Sequence, residues 1–167
     1  MKAFYFSLGG KEINQDYGII SHEKGIYILA DGVTKSERGE EASRLAANTI
    51  FDEFSCEVKD IKGFLEQAFK KAKDKVFELS PEARTTLDVI VVRGKRCYVG
   101  HMGDSRVYKI NKNGIVQLTE DNKGERGNLI KCIGGYDGAE PDIEVYDLEV
   151  GDYLLMCTDG VHEAVSD

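Results

Sequence analysis

Two apolar runs of strand length end in the same dipeptide. Tyr27-Ile28-Leu29-Ala30 leads into Asp31-Gly32, and Tyr153-Leu154-Leu155-Met156-Cys157-Thr158 leads into Asp159-Gly160. A strand that delivers a carboxylate at its end, followed by a glycine whose bare backbone can approach an ion, places hard oxygen ligands where Mg²⁺ or Mn²⁺ can be bound. Asp-Gly after a strand is also ordinary turn chemistry, and most such pairs bind nothing. The context adds weight: Asn14-Gln15-Asp16 precedes the first run, and Gly103-Asp104-Ser105-Arg106 lies between the two.

The rest of the chain frames these acids with an α+β pattern. Residues 2–7, 16–21 and 26–30 have strand content. Helical spacing then governs 38–54, through Ala42, Leu45, Ala46, Thr49, Ile50 and Phe54, and 60–79, through Ile61, Phe64, Leu65, Ala68, Phe69, Ala72, Val76 and Leu79. Strands return at 86–93, 96–102 and 105–110, with Gly94-Lys95 and Gly103-Asp104 as tight turns, and again at 143–147 and 153–157. The short connections between strands imply antiparallel sheets. Residues 120–138 are polar and aperiodic, and read as a loop with at most a short helix near 129–132.

Taken in order, these features resemble the metal-dependent protein phosphatase 2C family. Lys11 to Asp16 is similar to the family's R-x-x-N-Q-D opening; Asp31, Gly32, Gly39, Glu40, Ala42 and Ser43 match its A-D-G to G-E-x-A-S segment. Thr85-Thr86 stands where the family has a T-T strand start, Gly103-Asp104-Ser105-Arg106 is its G-D-S-R signature, and Leu118-Thr119-Glu120-Asp121 resembles L-T-x-D. Ile133-Gly134-Gly135 and Thr158-Asp159-Gly160-Val161 complete the series. The resemblance implies a four-layer αββα sandwich, two antiparallel sheets flanked by helices, over a single domain spanning 1–167 and short at its C-terminus. It implies hydrolysis of phosphoserine and phosphothreonine by a metal-activated water, with two Mn²⁺ or Mg²⁺ ions and room for a third. Asp31 would bridge two ions, the Gly32 carbonyl would complete one site, and Asp159 would bind the other. Asp16 would hold metal-bound waters, and Asp104 would take the third, weaker ion. For Asp104 the alternative is a turn carboxylate bonded locally or paired with Arg106.

Several positions depart from the family pattern. Lys11 replaces the arginine that grips substrate phosphate, keeping the charge but losing the planar fork. Val33-Thr34-Lys35-Ser36 stands where the family places M-G-G-H, so the histidine proposed there as general acid is absent. His162 is a conceivable replacement, against the alternative of a solvent-facing residue on a first helical turn, while His101 reads as packed in a strand and His22 lies in a polar turn. The family's later D-N segment has no counterpart before Asp167, which suggests an excerpted domain or a short protein that holds one metal loosely. A sheet edge left without its neighbour would favour a dimer or a partner segment. The departures leave open a second reading, a weak or inactive relative that binds phosphoproteins through the same cleft.

Composition excludes other classes. With a net charge of −8 the chain offers no Lys/Arg surface for nucleic acid or anionic membrane. At 167 residues and 41% hydrophobic content it suits one compact domain. The four cysteines form no C-x-x-C pair and favour a reducing, cytoplasmic setting, and no apolar stretch reaches membrane-spanning length. A P-loop, a calcium loop and a serine-hydrolase elbow all fail on spacing.

Overall fold

A computed structural model describes residues 2–9, 13–135 and 138–165. Five strands form an antiparallel sheet in the order β1-β2-β4-β5-β9: β1 Asp16–Ser21, β2 Ile26–Asp31, β4 Leu87–Arg93, β5 Arg96–Met102 and β9 Asp142–Asp147. Three more, β10 Tyr153–Cys157, β6 Arg106–Asn111 and β7 Gly114–Gln117, form a second antiparallel sheet in the order β10-β6-β7. Two-residue strands β3 Arg84–Thr85 and β8 Ile133–Gly134 pair with each other beside the helices.

Strand β4 shows how the layers are specified. Its sequence Leu87-Asp88-Val89-Ile90-Val91-Val92 is nearly continuous in apolar character, the signature of a strand covered on both faces. Leu87, Val89 and Val91 pack toward helices α1 (Gly39–Glu53) and α2 (Ile61–Leu79), joining Ile26, Ile28 and Ala30 of β2 and Ala46, Ile50, Leu65, Phe69 and Val76 of the helices. Ile90 and Val92 point the other way, into a second core with Cys97 and Val99 of β5, Val107 of β6 and Leu154 and Met156 of β10. Among the described residues three of the four expected layers are present: helix pair, large sheet and small sheet. The outer face of the small sheet carries no long helix among the described residues, and Tyr153, Leu155 and Ile115 are exposed there.

The helices obey their local signals. Asp60 caps α2, its carboxylate accepting from the Gly63 N–H at 3.0 Å. Helix α1 has no side-chain cap; Glu40 and Glu41 in its first turn meet the positive end of the helix dipole. Its first residue, Gly39, packs closely on the Gly32 backbone and the Gln15 side chain, where a Cβ would lie 3.2 Å from the Gly32 carbonyl carbon and would push the Gln15 amide aside.

Some expectations fail for non-local reasons. Residues 2–7 form no strand: alternation needs a neighbouring backbone, and Phe4 and Phe6 remain exposed while the Tyr5 ring lies against Gly18. Gly103-Asp104 is not a hairpin turn. It carries the chain from β5 in the large sheet to β6 in the small one. No helix forms near 129–132; instead Lys123 bridges to Leu129 and β8 follows. Strand β7 was not anticipated from the sequence.

Candidate active site

Register brings the first two acids together. In the β1–β2 pair Asp16 stands opposite Asp31, at the end of the hairpin away from its turn. Asp159 arrives from the other sheet, opening the short helix α3 (Asp159–His162) directly after β10. The Asp31 carboxyl lies within hydrogen-bonding reach of both Asp16 and Asp159, and the nearby Thr158 side chain favours the ionised form of Asp16. Asp31 also feels the charge of Asp104 through space. Asp16, Asp31, Thr158 and Asp159 border a cleft of about 270 Å³ whose walls include Asn14, Gln15, Thr34 and Gly160.

The backbone beneath Asp31 is tightly held. Its N–H donates to Thr86 Oγ1 at 3.0 Å, and its carbonyl accepts from Thr86 N at 2.8 Å and Thr85 Oγ1 at 2.9 Å. Thr86 and Ser105 share a further hydroxyl bond at 3.0 Å, tying the Asp31 strand end to the G-D-S-R crossover. Gly32 donates to the Gln15 carbonyl at 3.1 Å, and a Cβ there would sit 2.3 Å from the Gly39 carbonyl oxygen. Only glycine permits that approach.

Electrostatics show what the cluster lacks. Burial, with Asp16 and Asp159 close by, pushes the Asp31 carboxyl up to about 8, and burial raises Asp16 as well. Below about pH 8, carboxylates this close ionise together only if a cation stands among them. The donors are all hard oxygens, the set that Mg²⁺ and Mn²⁺ prefer. Among the described residues no three acidic, histidine or cysteine side chains converge as a finished metal cage; Asp31 and Asp159, with Asp16 beside them, are the carboxylates that would hold an ion.

The structure separates Asp104 from Arg106. Arg106 forms a bidentate pair with Asp121, both contacts at 2.8 Å, and reaches the Tyr108 hydroxyl at 3.1 Å. Asp104 instead receives the Lys123 ammonium at 2.8 Å. His162 is half-buried and its Nε2 donates to the Asp104 carbonyl at 2.9 Å, so it anchors α3 to the crossover. His101 is buried, with Nδ1 2.7 Å from Asp88 Oδ1 and Nε2 donating to the Glu120 carbonyl at 3.0 Å. Lys11 lies outside the described residues. The sequence reading missed Lys123 and Asn122, whose bonds to the Gly103-Asp104 segment cross about twenty residues and leave no local pattern; the L-T-x-D match ends one residue short of them.

An antiparallel sandwich with a carboxylate cluster where strand ends of its two sheets meet has the oxygen donors that divalent cations prefer. The protein phosphatase 2C family model matches residues 7–167, and the chain belongs to that family. It is similar to protein phosphatase PhpP of Streptococcus pneumoniae, with 25% identity over 186 residues that span 92% of this chain and 75% of the relative. Serine/threonine protein phosphatase PstP of Mycobacterium tuberculosis is 26% identical over 165 residues, 83% of this chain and 32% of that protein. Among solved structures, the PstP catalytic domain in complex with two manganese ions superposes with a TM-score of 0.81 at 26% identity, covering 94% of this chain and 76% of that one. A bacterial serine phosphatase shares the fold with a TM-score of 0.86 at 23% identity, covering 94% of this chain and 76% of that one.

Proposed function

We propose that this chain hydrolyses phosphoserine and phosphothreonine in protein substrates, using water activated by Mn²⁺ or Mg²⁺ held on Asp31 and Asp159. The observation that carries the assignment is the Asp31 carboxyl, driven up to about 8 by burial and by its acidic neighbours in an open cleft. Groups so displaced at a cleft mark functional sites. When bound, divalent ions lower the pKa of a bound water and neutralise the oxygens of a phosphate dianion that the bare carboxylates would repel.

The residues divide the work as follows. Asp31, the Gly32 carbonyl and Asp159 would hold the ions, all through hard oxygen donors. Asp16, beside Asp31 and Thr158, would orient metal-bound water. Asp104 offers a carboxylate for one more ion, and Lys11 supplies positive charge to the substrate phosphate. We take 1–167 as one phosphatase domain and place it in the cytoplasm, a setting that suits four free cysteines. No helix among the described residues is long and apolar enough to cross a membrane. Strand β10, at the edge of the small sheet with Tyr153 and Leu155 exposed, is where a second copy or a partner segment would pair.

The test is hydrolysis of a phosphothreonine peptide and a small aryl phosphate, with Mn²⁺ or with chelator, by the wild type, Asp31→Asn and Asp159→Asn. Metal-dependent turnover lost in both variants supports the reading. Turnover unaffected by chelation would refute it, and binding of the phosphopeptide without turnover by folded, metal-loaded protein would favour a binding-only relative.

A further inference from the structure

Lys123 is held against the carboxylate cluster more firmly than a surface lysine would be. Residues 120–123 are fastened at each position to the parts of the fold that carry Asp104. The Glu120 carbonyl accepts from His101, Asp121 takes the Arg106 fork, and Asn122 exchanges two bonds with Gly103, donating from N at 2.7 Å and accepting through Oδ1 at 3.0 Å. Lys123 itself bridges to Leu129. Its ammonium is delivered 2.8 Å from Asp104 Oδ2, with the two side chains only 26% and 11% exposed. Water screens such a pair weakly. The same ammonium is 3.2 Å from Glu163 on the far side, at the end of α3.

We propose that Lys123 is a tethered counter-ion of Asp104 that competes with a divalent cation for this carboxylate. The inference rests on the metal-binding reading of the cluster. Asp104 cannot be fully available to an ion while the ammonium sits on it, and a second cation brought to the same oxygen meets a unit positive charge a few ångströms away. Glu163, which the ammonium already reaches at 3.2 Å, keeps it neutralised when an ion displaces it from Asp104. Lys123 therefore sets the affinity of the Asp104 side of the site, leaving the Asp31–Asp159 side to fill first.

The experiment is Mn²⁺ binding measured by calorimetry and by the electron paramagnetic resonance signal of free Mn²⁺, on wild type, Lys123→Met, Lys123→Arg and Lys123→Met/Asp104→Asn, each checked for fold by circular dichroism. Lys123→Met should bind one further ion roughly tenfold or more tightly than the wild type does, because the competing charge is gone. The gain should vanish in the double variant and be absent in Lys123→Arg. A Lys123→Met isotherm that superimposes on the wild type, or a gain that survives loss of Asp104, overturns the proposal. Wild-type protein that binds no Mn²⁺ at all would overturn the metal-binding reading beneath it, a result separable from failure of the lysine step alone.

Discussion

Asp31→Asn should stabilise the metal-free protein, and the gain should grow with pH. The wild-type carboxyl ionises with an ordinary value of 3.8 in the unfolded chain and about 8 in the fold. Because the folded state binds this proton more tightly, ionising the group costs stability. The cost is absent below pH 4, grows as pH rises through the window between the two values, and is complete above 8. Each tenfold change in proton affinity is worth about 1.4 kcal/mol, so the ceiling is about 6 kcal/mol. Relaxation of a half-open cleft and sharing of the proton with Asp16 and Asp159 reduce this to about 2–3 kcal/mol. An asparagine keeps the backbone bonds to Thr85 and Thr86 and removes the charge. For a domain of this size, about 2–3 kcal/mol corresponds to roughly 5–10 °C in Tm. The assay is thermal unfolding in chelator from pH 4.5 to 8.5, repeated with Mn²⁺. Without metal the variant should melt higher at pH 8 and equally at pH 4.5; with Mn²⁺ the order should reverse, since only the wild type gains ligand binding energy. A variant that is less stable at pH 8 in chelator, or a gap that does not change with pH, would show that the carboxylates do not repel one another as argued.

Two further substitutions probe what holds the site. Gly32→Ala puts a methyl group 2.3 Å from the Gly39 carbonyl oxygen, backbone against backbone, and should cost about 2–3 kcal/mol in urea unfolding while weakening Mn²⁺ binding; unchanged stability would mean that the close approach is not required. His101→Leu strands Asp88, which is fully buried and whose Oδ2 already has no hydrogen-bond partner, so it should lose about 3–5 kcal/mol. Adding Asp88→Leu should recover most of that loss, and failure of the double variant to recover would point to packing rather than to the stranded charge.

The helices and most of the strands were legible because each carries a local period: three to four residues for α1 and α2, and strand-length apolar runs closed by turns for the sheets. The acids of the cleft were legible through collinear motifs, since Asp16, Asp31, Asp104 and Asp159 each punctuate an element end. What the sequence could not express was which residues meet. Residues 2–7 show that alternation alone does not make a strand, because hydrogen bonds need a neighbouring backbone.

The sequence alone therefore determined the elements, their order and the identity of the candidate ligands, all properties of short windows of chain. Only the tertiary structure decided that Asp16 faces Asp31 across a register, that Asp159 reaches them from the other sheet, and that Asp104 is met by Lys123 while Arg106 goes to Asp121. Those choices depend on strand pairing and on hydrogen bonds that cross the chain from 120–123 to Gly103. They are settled by packing and by competition among charges, for which local sequence has no signal.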